Sequence, residues 1–446
     1  MKKFSKVLAA GLSGAMIVTS LVGCGGQKAT DTVTAPAEVV TEQAPEAEKP
    51  AESITLRTVS MFGGTDPMTN IYGSSIEEFM KSNATVKVED ESATSDEQWK
   101  SKVLIDFAAG NEPDVIFFFT DVNAKPLVEQ NKVVSLEEIK SVYPEYASNI
   151  TEAAMASAKY AGDGKNYAVP VRGYYEGIFC NKTLFDKYSL ELPTTWENLE
   201  KAIKTFKEND VTPFAAALGH VPHYFIEHFI LAEGGVADHS NQDVAAVKET
   251  WVKALTNFKT FADMGAFPID TATSKHELQQ QAFNDGKAGM FFDGNWVIEG
   301  ITDKDNTVIV PMPGTGNGKK DPSDLIAGFS SGYYITKKAW DDPAKRDAAV
   351  KFVEHMTTTD LIKQFVVAAS GGAPAADIGA VEGLNKLAAA GAKMAGEAKQ
   401  CDSAIDGWLS KAAWDYLLGK VPVIAIGKED AAAVVDKIIE IQNSNK

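Results

Sequence analysis

The sequence predicts a mixed α/β protein whose strands and helices alternate to form doubly wound sheets, shared between two lobes. Three observations predict it. Strand-like and helix-like stretches alternate from Ile54 onward. Asp114–Phe119 is a continuous apolar run directly after Pro113, as expected of a parallel strand buried on both faces. The 446 residues also exceed the ~250–300 at which a single core stops growing.

The elements follow in order. Ile54–Val59 alternates as a strand, Ile71–Ser82 has helical spacing, and Thr85–Glu91 alternates again. Ser95-Asp96-Glu97-Gln98 has the form of a capping box for a helix running to Ala109, where Gly110 ends it. After Tyr167, Gly177–Cys180 reads as a strand, and Thr194-Thr195-Trp196-Glu197 caps a helix to Asn209. Pro213–Leu218 is a short strand, 221–232 and 244–264 are helices, and Lys287–Phe292 is a strand ending in Asp293-Gly294-Asn295. Beyond a strand at Gly332–Thr336 the spacing is helical over 343–357, 359–368, 380–397, 405–419 and 428–443.

Composition excludes several classes. Hydrophobic residues make up 44% and charged residues 23%, an ordinary globular balance. Lys and Arg number 43 against 61 Asp and Glu, a formal charge of −18 that repels nucleic acid and acidic lipid headgroups. Three cysteines make no disulfide framework, and none is paired in a CxxC motif.

The N-terminus has the order of a secretory signal: Lys2, Lys3 and Lys6, then an apolar run over 7–22 that falls short of the ~20 residues of a spanning helix. Leu21-Val22-Gly23-Cys24 resembles a lipobox, which implies cleavage of residues 1–23 and lipidation of Cys24; an ordinary signal with a chance cysteine is the plainer alternative. Residues 24–53, rich in Ala, Thr, Glu and Pro, cannot bury enough apolar surface to order themselves and read as an acidic tether.

Seven short motifs then carry a family resemblance. They are Ala109-Gly110-Asn111-Glu112-Pro113-Asp114-Val115-Ile116, Tyr167-Ala168-Val169-Pro170, Phe179-Cys180-Asn181-Lys182-Thr183-Leu184-Phe185, Leu192-Pro193-Thr194-Thr195-Trp196-Glu197, Ala232-Glu233-Gly234-Gly235, Phe283-Asn284-Asp285-Gly286-Lys287-Ala288-Gly289-Met290 and Gly294-Asn295-Trp296. In this order they resemble the family 1 extracellular solute-binding proteins of ABC importers, which include the maltose-binding proteins. The resemblance implies a two-lobed periplasmic-binding-protein-like fold of type II, with three crossovers and a ligand cleft between the lobes. The crossovers are expected near 169–173, 329–332 and 370–376. Lobe 1 would hold 54–169 and 330–372, and lobe 2 would hold 170–329 and 373–446.

Sugar recognition needs aromatic faces together with carboxylates, amides or Arg, held at the carboxyl ends of strands. The loop after Asp114–Phe119 offers Phe118, Phe119 and Asp121, with core packing and a helix cap as the alternatives. The loop containing Phe62 holds the equivalent place after the first strand, or is a plain turn. At the first crossover, Arg172 would fork to sugar hydroxyls or form a salt bridge across the lobes, and Tyr174 follows it. The resemblance implies that Trp296 stacks on the ligand, that Tyr224 is a pocket aromatic, and that Trp408 rather than Trp414 is the C-terminal ligand tryptophan. Asp293 is a hydroxyl acceptor or an N-cap, and Ser330 is a polar contact at the second crossover. Four of six histidines lie within 220–239, which raises a metal site as an option; HxxH without a fitting third ligand is a weak signal. Cys180 reads as a buried thiol, with a bridge to Cys401 as the alternative.

The expectation is a monomeric lipoprotein with no enzymatic activity and no cofactor, at the outer face of a Gram-positive membrane. It would capture a carbohydrate, an oligosaccharide, and deliver it to the permease subunits of an ABC transporter. The alternatives are the same fold binding a polyamine or metal, or a surface-anchored glycoside hydrolase, for which no nucleophile motif is found.

Overall fold

A computed structural model of the chain describes residues 53–160, 162–368, 371–379 and 381–444. The signal peptide, Cys24 and all of the tether but Ser53 lie outside the described residues. Contacts divide the chain into Met1–Pro50 and Ala51–Lys446, and the fold below is that of the second unit.

Among the described residues, eleven strands build two sheets. β1 (Ile54–Val59), β2 (Val86–Asp90), β3 (Val115–Phe119) and β4 (Val169–Pro170) belong to the first sheet. β5 (Tyr174–Asn181), β6 (Thr212–Ala215), β7 (Ala288–Gly294), β8 (Thr307–Val310) and β9 (Leu325–Gly328) belong to the second. β10 (Ser331–Ile335) returns to the first sheet, and β11 (Cys401–Asp402) closes the second. The orders are β2-β1-β3-β10-β4 and β11-β9-β5-β7-β6, with β8 also paired to β5. β1 runs parallel to β2 and β3, joined by helical connections as parallel neighbours require, whereas β10 is antiparallel to both β3 and β4. The passage from β4 to β5 spans Val171–Gly173, and that from β9 to β10 spans Phe329–Ser330.

Each sheet is buried between helices. In lobe 1, Leu56, Phe117 and Tyr333 pack on one face with Phe352, Val353 and Phe365; Ile116, Phe118 and Tyr334 pack on the other with Trp99 and Phe107. In lobe 2, Ile178, Met290 and Phe292 meet Phe206, Phe229, Trp251 and Leu417, while Phe179, Phe291 and Ala388 pack on the opposite face. Among the described residues no helix is long and apolar enough to cross a membrane.

Several local expectations change. The helix of Glu97–Ala108 is capped by Asp96, whose side chain accepts from the Trp99 N–H at 2.7 Å, not by Ser95. The helix expected over 221–232 runs from His223 to His239 and breaks at Gly235, where φ is 65° and a Cβ would lie 2.4 Å from the Lys319 carbonyl oxygen. The helix expected over 405–419 runs from Lys411 to Ala425 with Ser410 as its cap, so Trp408 and Trp414 do not share one helix. The third passage also lies later than 370–376. Ala375, Ala376 and Ile378 bury in the lobe 1 core and Val381 packs against it, whereas Leu384 and Leu387 join lobe 2. Cys180 is buried, Cys401 is exposed, and both are free thiols.

Candidate functional site

The inter-lobe passages fix where the cleft lies. The Gly173 N–H donates to the Ala373 carbonyl at 2.6 Å and Ala375 N–H to Val171 at 3.0 Å, so the first passage is tied to 371–375. Asn295, at the end of β7, clamps the same place: its Oδ1 accepts from Tyr175 N at 3.3 Å and its Nδ2 donates to Gly371 O at 3.1 Å. Gly372 sits at φ 108°, and a Cβ there would lie 2.3 Å from the Gly173 oxygen.

Lobe 2 presents an aromatic wall beside this junction. Tyr174 at the start of β5, Trp296 after β7 and Tyr224 on helix His223–His239 are all half-buried. Their ring centroids lie 6.0 Å (Tyr174–Trp296) and 6.1 Å (Tyr224–Trp296) apart. The Trp296 ring folds over Gly294, where a Cβ would meet it at 2.2 Å, so this Asp-Gly-Asn-Trp turn needs glycine. The array continues through His223, 4.1 Å from Tyr224 and 6.0 Å from Trp414. Burial foremost, then the charges of Lys100, His276 and His220, lowers His223 to about 3, leaving it neutral at pH 7.

Carboxyl groups stand beneath and opposite the wall. Asp293 is fully buried, accepts from Gly294 N at 2.8 Å, and has Oδ2 2.7 Å from His276 Nε2. Burial works against charge on His276, but the Asp293 carboxylate outweighs it and raises the imidazole above its usual value. Glu176, also buried, meets His228 at 3.0 Å. Burial pushes the Glu176 carboxyl well above its usual range and the His228 imidazole well below its own. Asp121 faces this side from lobe 1. It caps the turn Val122–Ala124, accepting from the backbone and side-chain N–H groups of Asn123, both at 2.8 Å. Burial, then Asp406, raises its carboxyl to about 7, and Lys100 pulls in the other direction.

The proposed site residues therefore separate. Tyr174, Tyr224 and Trp296 form one array, Asp293 is held beside His276, and Asp121 comes near Asp406 and Gly407. Phe119 is half-buried at the end of β3 beneath Lys100, whose Nζ is 4.6 Å from its centroid. Trp408 is half-buried, 6.4 Å from Trp251. Ser330 carries the carbonyl that accepts from Thr120 N at 2.9 Å. Arg172 is half-buried; burial lowers its basicity and Asp66, in the loop after β1, opposes this.

Phe62 and Phe118 are corrections. Phe62 packs against Tyr72, Phe117 and Phe365, and Phe118 against Trp99, both inside lobe 1. An apolar strand buried on both faces leaves only its terminal residue, Phe119, near the cleft. The residues that sequence reasoning misses are Asp406, His276, Glu176 and Lys100. Asp406-Gly407-Trp408 repeats the Asp-Gly turn before tryptophan seen at 293–296, a signal that could have found the first. Among the described residues no three His, Cys, Asp or Glu side chains are arranged to hold a metal ion.

Comparison with known proteins gives this geometry a context. The chain is 24% identical over 300 residues to the multiple sugar-binding protein of Streptococcus mutans, covering 59% of this chain and 69% of that one. Its fold is similar to a chitin oligosaccharide binding protein, with a TM-score of 0.78 at 19% identity over 88% of this chain and 99% of the other. It is also similar to a structure from work on xylan utilization by Caldanaerobius polysaccharolyticus, with a TM-score of 0.75 at 24% identity over 88% and 100%. The family described as bacterial extracellular solute-binding protein matches residues 65–363, and the chain, with its two sheets and the short passages between them, belongs to that family.

Proposed function

We propose that this protein is a lipid-anchored receptor that captures an oligosaccharide between its lobes and hands it to the permease of an ABC importer. The observation that carries the sugar reading is the Tyr174–Trp296–Tyr224 array, three rings at about 6 Å spacing beside buried carboxyls. Aromatic faces take the C–H faces of pyranose rings, and carboxylates accept from the hydroxyls between them. Trp296, Tyr224 and Tyr174 stack; Asp121, Asp293 and Arg172 make polar contacts; Phe119, Trp408 and Ser330 complete the rim. The names of the relatives, a multiple sugar-binding protein and a chitin oligosaccharide binding protein, support the same class.

A ligand held by both lobes favours the closed form by its differential affinity for it, and that form is what a permease can read. Cys24, after a lipobox-like stretch, is the anchor, and residues 25–53 are the tether. The protein binds without turnover and acts as a monomer on a Gram-positive surface. Isothermal titration of the 53–446 fragment against xylo-, chito- and gluco-oligosaccharides tests the reading. Micromolar or tighter binding of one class with no product is expected; no binding to any, or hydrolysis of one, overturns it.

A further inference from the structure

Glu227 lies one helical turn beyond His223 and Tyr224 on helix His223–His239, and its side chain is wholly buried. Neither carboxyl oxygen has a well-aligned hydrogen bond. A buried carboxyl so poorly partnered carries an uncompensated desolvation cost, so its presence calls for a role. Three groups from segment 402–408 face it: Asp402, the Ile405 N–H and Asp406. Glu176 and Tyr174 face it from β5, and Tyr224 and His228 share its helix.

The segment is pinned on both sides of this point. His239 Nδ1 meets Asp402 Oδ2 at 2.6 Å, the Ala404 N–H donates to the Tyr174 hydroxyl at 3.0 Å, and Leu409 is fully buried. Between these anchors Ile405 is buried, and the half-buried Asp406, Gly407 and Trp408 make the turn toward Asp121.

We propose that Glu227 is a positioning residue of the cleft: it underlies segment 402–408 and sets where Asp406 and Trp408 stand opposite Asp121. Burial first, then Asp406 and Glu176, holds its carboxyl well above the usual range, against only the Ile405 N–H. Protonated, the group sits beneath Asp406 without repelling it. Ionised, it repels Asp402 and Asp406 together and loosens the turn that carries the lobe 2 side of the cleft. The role deepens the sugar-cleft reading above, and it is tested without a sugar, so that either can fail without the other.

The test is amide hydrogen exchange of the 53–446 chain, read by mass spectrometry on peptides covering 402–409 and corrected for the intrinsic pH dependence. Native protein and Glu227→Gln, which keeps the shape without a charge, should be equally protected at pH 6. As pH is raised, Glu227→Gln should stay protected, and the native segment should exchange at least tenfold faster than that of Glu227→Gln once Glu227 ionises. Glu227→Ala should be tenfold less protected at both. Glu227→Gln losing protection at pH 6 overturns the role, as does a Glu227→Ala protein as protected as native. Peptides over Ile54–Val59, in the other lobe, show whether a variant has unfolded; if Glu227→Ala has, native against Glu227→Gln decides.

Discussion

Asp121 on lobe 1 and Gly407 on lobe 2 face each other closely enough that a Cβ built on Gly407 would lie 3.7 Å from the Asp121 Cβ. The two lobes thus meet through an acid on one side and a backbone without a side chain on the other. Asp406, the next residue, is the charge that raises Asp121 after burial has done so.

That apposition makes the protein pH-sensitive. A carboxyl titrating near 7 in the fold and near 4 when unfolded contributes stability that is fully present below about pH 4 and lost as pH rises through 7. The melting temperature of the ligand-free chain should therefore contain a component that falls between about pH 4 and 7. Asp121→Asn should flatten this slope; calorimetry at four pH values checks it, and an unchanged slope in the variant removes Asp121 as its source.

Trp296→Ala should weaken the tightest oligosaccharide by about 2 kcal/mol, roughly thirtyfold in Kd, as for a central aromatic anchor. Its ring is half-buried against Gly294, so the melting temperature without sugar should move only slightly. Titration calorimetry and thermal unfolding together separate the two effects.

Phe118→Ala is the contrasting case. Its ring is fully buried beside Trp99, and truncating such a phenylalanine costs about 3–5 kcal/mol. Denaturant unfolding should show a loss of that order, while the folded fraction should bind sugar as tightly as native.

Gly372→Ala places a Cβ 2.3 Å from the Gly173 oxygen at a φ of 108°, where side chains are strained. It should destabilise by about 1–3 kcal/mol. The added methyl would also push segment 371–375 away from the first passage, so small-angle scattering should report a changed lobe separation without ligand.

Cys24→Ala should move the full-length chain from the membrane pellet to the soluble fraction, since acyl chains supply ~0.8 kcal/mol per buried CH₂. Persistent membrane association after this substitution would remove the lipid anchor from the proposed function.

Much of the scaffold was readable because local signals agreed with it. The apolar run of 114–119 is a two-face-buried strand, Thr195 caps its helix by accepting from Asn198 N, and Pro343 opens the helix that follows Asp342. The site was less readable because facing is decided by partners distant in sequence. Nothing local says that Phe62 turns inward onto Phe365 while Trp296 stays at the surface. His276 and Asp293 have no sequence motif in common, and only the packing of helix His276–Asn284 on β7 brings them to 2.7 Å. Trp408 falls outside the helix because Ser410 is a stronger helix start than the periodicity before it.

The placement of β10 bears on how the chain comes to be folded. In the first sheet, β4 reaches its neighbours only through β10, which lies some 160 residues later, beyond most of the second lobe. A chain emerging in order could complete the β1–β3 ladder early, yet lobe 1 could not close until residue 335 was available. Such late, long-range closure slows folding. In a member of an extracellular solute-binding family, this order keeps lobe 1 open while most of lobe 2 is being made.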